Sequence, residues 1–336
     1  MQTVPRYFKN SYGYLEESLK ALKRGRTRVG TQTPGGHSVY VVEYGEPNVF
    51  YRTANYSSAL GAGDVRCFAQ KTHPCVMLVG GVHGGEFEGI AGILNLFSLL
   101  ENGHDLLGRP HKTLLEMLEQ CHLVFVPCAN PDGRVRVPLE SAVGMPLAIF
   151  RRYDQGVWAD GTTCDWPDCK KVHPMHGASV LGGYFNDDGI NLMHDDFFRP
   201  MAKETALLLE LATEFAPDVI ANLHGAADMG YGIYAPGYAA AKDRERARRF
   251  EKKLGEALTQ NGFRFIHTGC FTDEPEFNLT TALYLACGCL SVTWESYQGV
   301  AGADAVSPPD TVYQNILDAH LLFFEQCLCE AAEKYV

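Results

Sequence analysis

Four short apolar runs constrain the fold of this chain more than any other feature. They read "PCVMLVG" (74–80), "CHLVFVPCA" (121–129), "PDVIANLHG" (217–225) and "CLSVTWE" (289–295). Each has the length of one strand. Each is apolar continuously rather than at alternate positions, as in strands covered on both faces. Segments of helical period lie between them, at 87–103, 112–120, 203–215, 243–262 and 279–288, three of them closed by glycine. Further helices are predicted at 11–24 and 310–334, and further strands at 37–44 and 263–267. Strands that alternate with helices predict an α/β fold: a three-layer α/β/α sandwich around a central, mostly parallel (mixed) sheet.

No shift in composition marks a linker, so one domain over 1–336 is predicted. Segment 134–189 stands apart within it. It is rich in Gly, Pro, Trp and Asp, lacks periodicity, and holds Trp158 and Trp166 of the chain's 3 tryptophans. A stretch this long with aromatic residues predicts an ordered lid or pocket wall, inserted into the domain.

The 336 residues carry a formal net charge of −11, which argues against nucleic acid or an anionic membrane surface as the main partner. No apolar run reaches the length of a membrane span. The first residues lack the apolar core of a secretory leader. The 11 cysteines follow no disulfide framework, so they read as reduced thiols and predict a cytoplasmic protein.

Polar residues recur where the apolar runs end. His83 and Glu86 follow the first run, Asn130 the second, His224 closes the third and Glu295 the fourth. In parallel α/β sheets, ligands bind outside the carboxyl ends of the strands. Four segments would therefore deliver two histidines and two glutamates to one rim. Two histidines and one glutamate are an established catalytic zinc set that leaves a position for water. His83, Glu86 and His224 are the candidate ligands, and Glu295 is then free to act as general base. Each piece alone has a plainer account: H-x-x-E is common, and "NPDG" (130–133) is a good turn.

Taken in order, H-x-x-E at 83–86, "NPDGR" at 130–134, "DDGINL" at 187–192, "NLHG" with His224 and "TWE" with Glu295 give a specific likeness. The sequence resembles the zinc carboxypeptidase, or metallocarboxypeptidase, family over residues 75–300. Aspartoacylase-like deacylases are more distant relatives. The resemblance implies an α/β/α sandwich with one Zn²⁺ held by His83, Glu86 and His224. It implies Glu295 as the base that activates water and passes the proton to the leaving amine. It also implies an arginine after "NPDG" that polarises the scissile carbonyl, for which Arg151 is preferred and Arg152 is the alternative. Asn191 stands where a partner of the first zinc histidine belongs.

One departure bears on the substrate. Family members use an asparagine–arginine pair to hold the substrate's C-terminal carboxylate, and here Met193 and His194 fill those positions. Methionine is no donor, and histidine is a weaker, pH-dependent anion partner. Either another cation supplies the clamp or the substrate lacks a free α-carboxylate there. Asp195 and Asp196 beside His194 would repel a carboxylate. The family's tyrosine near the scissile bond has no counterpart in 267–278. Cys164, Cys169, His173 and His176 form a second candidate metal set within the lid. The sequence therefore predicts a zinc hydrolase acting on a small peptide or an N-acyl amino compound. The alternatives are a deacylase of a non-peptide amide and a metal-free binding protein on the same fold.

Overall fold

A computed structural model describes residues 4–50, 69–170, 174–198, 200–227, 229–271, 275–301, 309–333 and 335. Seven strands form one mixed sheet: β1 (Arg26–Gln32), β2 (Ser38–Tyr44), β3 (Cys75–Gly80), β4 (His122–Val126), β5 (Val219–Gly225), β6 (Gly232–Tyr234) and β7 (Leu290–Ser296). Their spatial order is β1-β2-β4-β3-β5-β7-β6. The inner four, β4, β3, β5 and β7, run parallel, and the outer pairings are antiparallel. These inner strands are the four apolar runs. Register aligns their carboxyl ends, with Gly80 opposite Leu223 and His224 opposite Glu295.

Continuous apolarity is explained by the two layers that cover the sheet. Side chains alternate between faces along a strand. Val76 and Leu78 of β3 therefore point into one core, and Cys75, Met77 and Val79 into the other. The first core is closed by α1 (Tyr12–Ala21), α2 (Glu88–Asn102), α3 (Lys112–Glu119), α7 (Ala241–Gln260) and α9 (Pro309–Ala332). The second is closed by α6 (Lys203–Phe215) and α8 (Leu279–Cys287). The result is an α/β/α sandwich. No helix among the described residues is long and apolar enough to cross a membrane.

Two expectations are corrected. The segment 263–267 is not a strand of the sheet: Phe265 makes only an isolated bridge to Tyr231. Segment 134–189 has more regular structure than its sequence suggests. It contains the end of α4 (Pro131–Arg136), the helix α5 (Leu147–Asp154), a two-stranded ribbon (Gly156–Trp158 with Ala178–Leu181) and a 3₁₀ turn, Asp168–Lys170.

Candidate active site

The chain between β3 and α2 turns sharply, and its glycines meet specific demands. Gly81 has φ +59, which disfavours a side chain. A Cβ on Gly84 would lie 2.1 Å from the Arg134 backbone nitrogen, and one on Gly85 would lie 2.1 Å from Asp154 Oδ1. "NPDGR" is the other half of this junction. Asn130 caps α4 by accepting from the Gly133 N–H, and Pro131 takes the first turn. Arg134 is buried and donates to the carbonyls of Asn10, Gly84, Val137 and Leu139. The motif is thus a bracket for the H-x-x-E turn rather than a solvent-exposed bend.

His83, Glu86 and His224 converge. One ligand atom from each lies within 4.8 Å of the others, and all three residues are buried. Glu86 sits between the rings: Oε1 is 2.8 Å from His83 Nδ1, Oε2 is 2.9 Å from His224 Nδ1, and Oε2 also accepts from the Gly225 N–H. Asn191 Oδ1 lies 3.2 Å from His83 Nε2. The same amide donates to the Cys169 carbonyl, tying the lid to the first histidine. Tyr184 stacks on His83 with ring centroids 3.6 Å apart and an interplanar angle of 10°. His224 Nε2 is buried without a partner.

Burial opposes charge throughout this cluster, and the neighbours decide the outcome. Burial disfavours the Glu86 carboxylate, but His83 and His224 outweigh it and hold its pKa below the usual range. Burial keeps His83 low against the pull of Glu86. In His224, Glu86 and then Glu295 overcome burial, and the pKa rises. Glu295 is pushed up to about 7 by burial, with His224 opposing and Glu86 adding to the rise. Two neutral-capable imidazoles and an ionised carboxylate, gathered together, are a donor set that fits zinc.

The cluster forms part of the wall of a cavity of about 370 Å³. Glu295 reaches it from the end of β7, and Arg151 from α5. The structure separates the two candidate arginines. Arg151 lines the cavity and lies 3.6 Å from Asp165, whereas Arg152 is exposed and is no part of the wall. Met193 and His194 also line it, on a 3₁₀ turn whose Asn191 cap is the partner of His83. Asp195 and Asp196 do not line the cavity, against the expectation that they oppose an anion there. Asp195 instead accepts from the backbone N–H groups of Asp196 and Ala202.

Cys164 and Cys169 are buried in an apolar cluster with Met175, Tyr184 and Phe185, and His176 is exposed. His173 falls outside the described residues. Among the described residues, His83, Glu86 and His224 are the one group placed to share an ion. Trp166, on the segment expected to form a pocket wall, lines the cavity, and so do Tyr184, Tyr234, Lys170 and Glu276, which the sequence does not single out. They come from the lid, the edge strand β6 and a loop, where no periodicity announces a wall.

Two imidazoles and two carboxylates at the carboxyl rim of a mixed α/β sheet are the arrangement expected of a metal-dependent hydrolase. The chain belongs to the zinc carboxypeptidase family, whose model matches residues 17–299. It is accordingly a metallopeptidase-type hydrolase. Solved structures agree on the fold. A metallo-carboxypeptidase from Burkholderia cenocepacia superposes with a TM-score of 0.58 at 15% identity, covering 96% of this chain and 70% of that one. One from Pseudomonas aeruginosa gives 0.55 at 15%, covering 93% and 68%. Carboxypeptidase A from Helicoverpa armigera gives 0.58 at 14%, covering 97% and 76%. No curated protein matches the chain in sequence.

Proposed function

We propose that this protein hydrolyses an amide bond in a small peptide or peptide-like substrate, with one zinc ion held by His83, Glu86 and His224. The observation that carries the reading is the buried His–Glu–His convergence within 4.8 Å, in the wall of the same cavity as Glu295. Zinc in such a set supplies Lewis acidity, lowering the pKa of water and polarising a carbonyl.

The protein's own groups supply the rest. Glu295 takes the proton of the attacking water and returns it to the departing amine, which its elevated pKa favours near neutral pH. Arg151 donates to the carbonyl oxygen as negative charge develops there. Asn191 fixes the ring plane of His83 from one side and Tyr184 covers its face. Phe150, Leu147 and Met193 line the cavity with apolar surface, which excludes water from the reacting bond.

Metal analysis and peptide hydrolysis test this together. One zinc per chain is expected, with activity lost to a chelator and restored by zinc. Undiminished turnover by the metal-free protein would end the proposal.

A further inference from the structure

The cavity holds a second charged feature outside the His–Glu–His set. Lys170, at the end of the 3₁₀ turn Asp168–Lys170, enters from the lid, and Glu276 enters from the loop before α8. Lys170 Nζ lies 2.6 Å from Glu276 Oε1. The ammonium also sits over the Trp166 ring, 3.9 Å from its centroid, which fixes its position. The two side chains are 18% and 38% exposed, so the pair is partly sheltered within the cavity.

An ion pair this open to water adds little to stability. What it retains is unused hydrogen-bonding capacity. A lysine ammonium has three donors, and a carboxylate has about four acceptor sites. Among the described residues, each group meets the other through a single bond. A lone anion that approached Lys170 would also meet the charge of Glu276. A lone cation at Glu276 would meet Lys170. A group that carries both signs on one carbon finds a partner for each, with its own dipole antiparallel to that of the pair.

We propose that Lys170 and Glu276 form a subsite for a dipolar amino-acid end group of the substrate, its carboxylate on Lys170 and its ammonium on Glu276. The inference deepens the hydrolase reading, on which its catalytic meaning rests. It gives the cavity a charged recognition element where Met193 and His194 provide no arginine fork. Arg151, the other lid cation in the wall, is assigned above to the scissile carbonyl, which leaves Lys170 for the end group.

Calorimetric binding to the zinc-loaded protein tests it with three probes: phenylalanine, N-acetylphenylalanine and phenylalaninamide. They carry both charges, the anion alone and the cation alone. Phenylalanine is expected to bind about tenfold more tightly than either analogue, because each analogue leaves one member of the pair unanswered. The Lys170→Met/Glu276→Gln double variant should lose that preference, and Lys170→Arg should keep it, which separates recognition from misfolding. Equal binding of any singly charged probe to the wild-type protein overturns the subsite. So does a preference that survives in the double variant, or no phenylalanine binding at millimolar concentration. Turnover is not needed for this readout. A Lys170-dependent preference without zinc-dependent hydrolysis would remove the hydrolase reading and leave the subsite. Hydrolysis without the preference would do the reverse.

Discussion

Glu295 differs from an ordinary glutamate in one respect that matters for chemistry: burial pushes its pKa up to about 7, against the pull of His224. A base is most effective when its pKa lies near the working pH. An added cation nearby favours the carboxylate, so zinc loading lowers that value. The acidic limb of kcat/KM should therefore rise with pH at an apparent pKa below 7 and level off above it. Glu295→Gln is expected to lose roughly 10²–10⁴-fold in kcat/KM and to lose that limb, with zinc content unchanged. Kinetics alongside metal analysis decides this; a variant as active as the parent removes Glu295 from the proton path. The two arginines make a matched comparison. Arg151→Ala should lower kcat by roughly 10²–10³-fold, as for loss of a donor to a developing oxyanion. Arg152→Ala, on the exposed side of α5, should stay within about twofold. Equal losses in both would mean that α5, not a particular guanidinium, is what matters.

At the scale of elements, the turn between β3 and α2 carries the site, and it fits only against its neighbours. Gly84 packs on backbone, at the Arg134 nitrogen, whereas Gly85 packs on the Asp154 side chain. A side chain can move aside and a helix backbone cannot. Gly84→Ala should therefore cost more than Gly85→Ala, roughly 3 kcal/mol at the upper end of overpacking effects. Urea unfolding measures the difference, and zinc competition should show weakened binding in Gly84→Ala. If the order of the two costs is reversed, the tight seat of Gly84 on α4 is wrong. This turn also shows what was legible in the sequence and what was not. The four inner strands and the helices between them could be read because burial on both faces imposes continuous apolarity and burial on one imposes a helical stripe. Their ends then pointed to His83, Glu86, His224 and Glu295. β1, "RTRVGTQ", is a largely exposed edge strand with no apolar pattern, and β6 is three residues long, so neither was found. Tyr184, Lys170 and Glu276 reach the cavity only because α5, the lid turn and α8 dock around it. Tertiary contacts set those positions, and local spacing does not encode them.

Across the molecule, α9 seats against the sheet at β7. Phe323 stacks on Trp294 at 4.3 Å, and Trp294 immediately precedes Glu295 on β7, so the docking of a C-terminal helix supports the strand that delivers the candidate base. His320 closes this contact. Its Nδ1–H donates to the Ile316 carbonyl at 2.8 Å, and its Nε2 accepts from the Trp294 indole N–H at 3.3 Å. Both nitrogens are thereby used by the neutral ring. A second proton would have to sit on Nε2, facing another donor. Burial lowers the His320 pKa to about 4, with the Ile316 carbonyl opposing. The unfolded chain takes up its proton near the ordinary value of 6.5. Between these values the unfolded state binds more protons, so folding stability rises with pH across the window. The contribution is complete above about 6.5 and is lost as pH falls toward 4, by roughly 3 kcal/mol at most. Glu204, raised to about 7 by burial, works in the opposite direction, because its protonated form is the one the fold prefers. The wild-type slope alone is therefore mixed, and a variant is needed to isolate the histidine. His320→Asn removes the titrating ring, so its unfolding free energy should fall less steeply between pH 6.5 and pH 4 than that of the parent. Urea unfolding at several pH values measures both slopes. Coincident slopes would show that His320 is already protonated in the folded protein and that the Trp294 contact is not what holds it neutral.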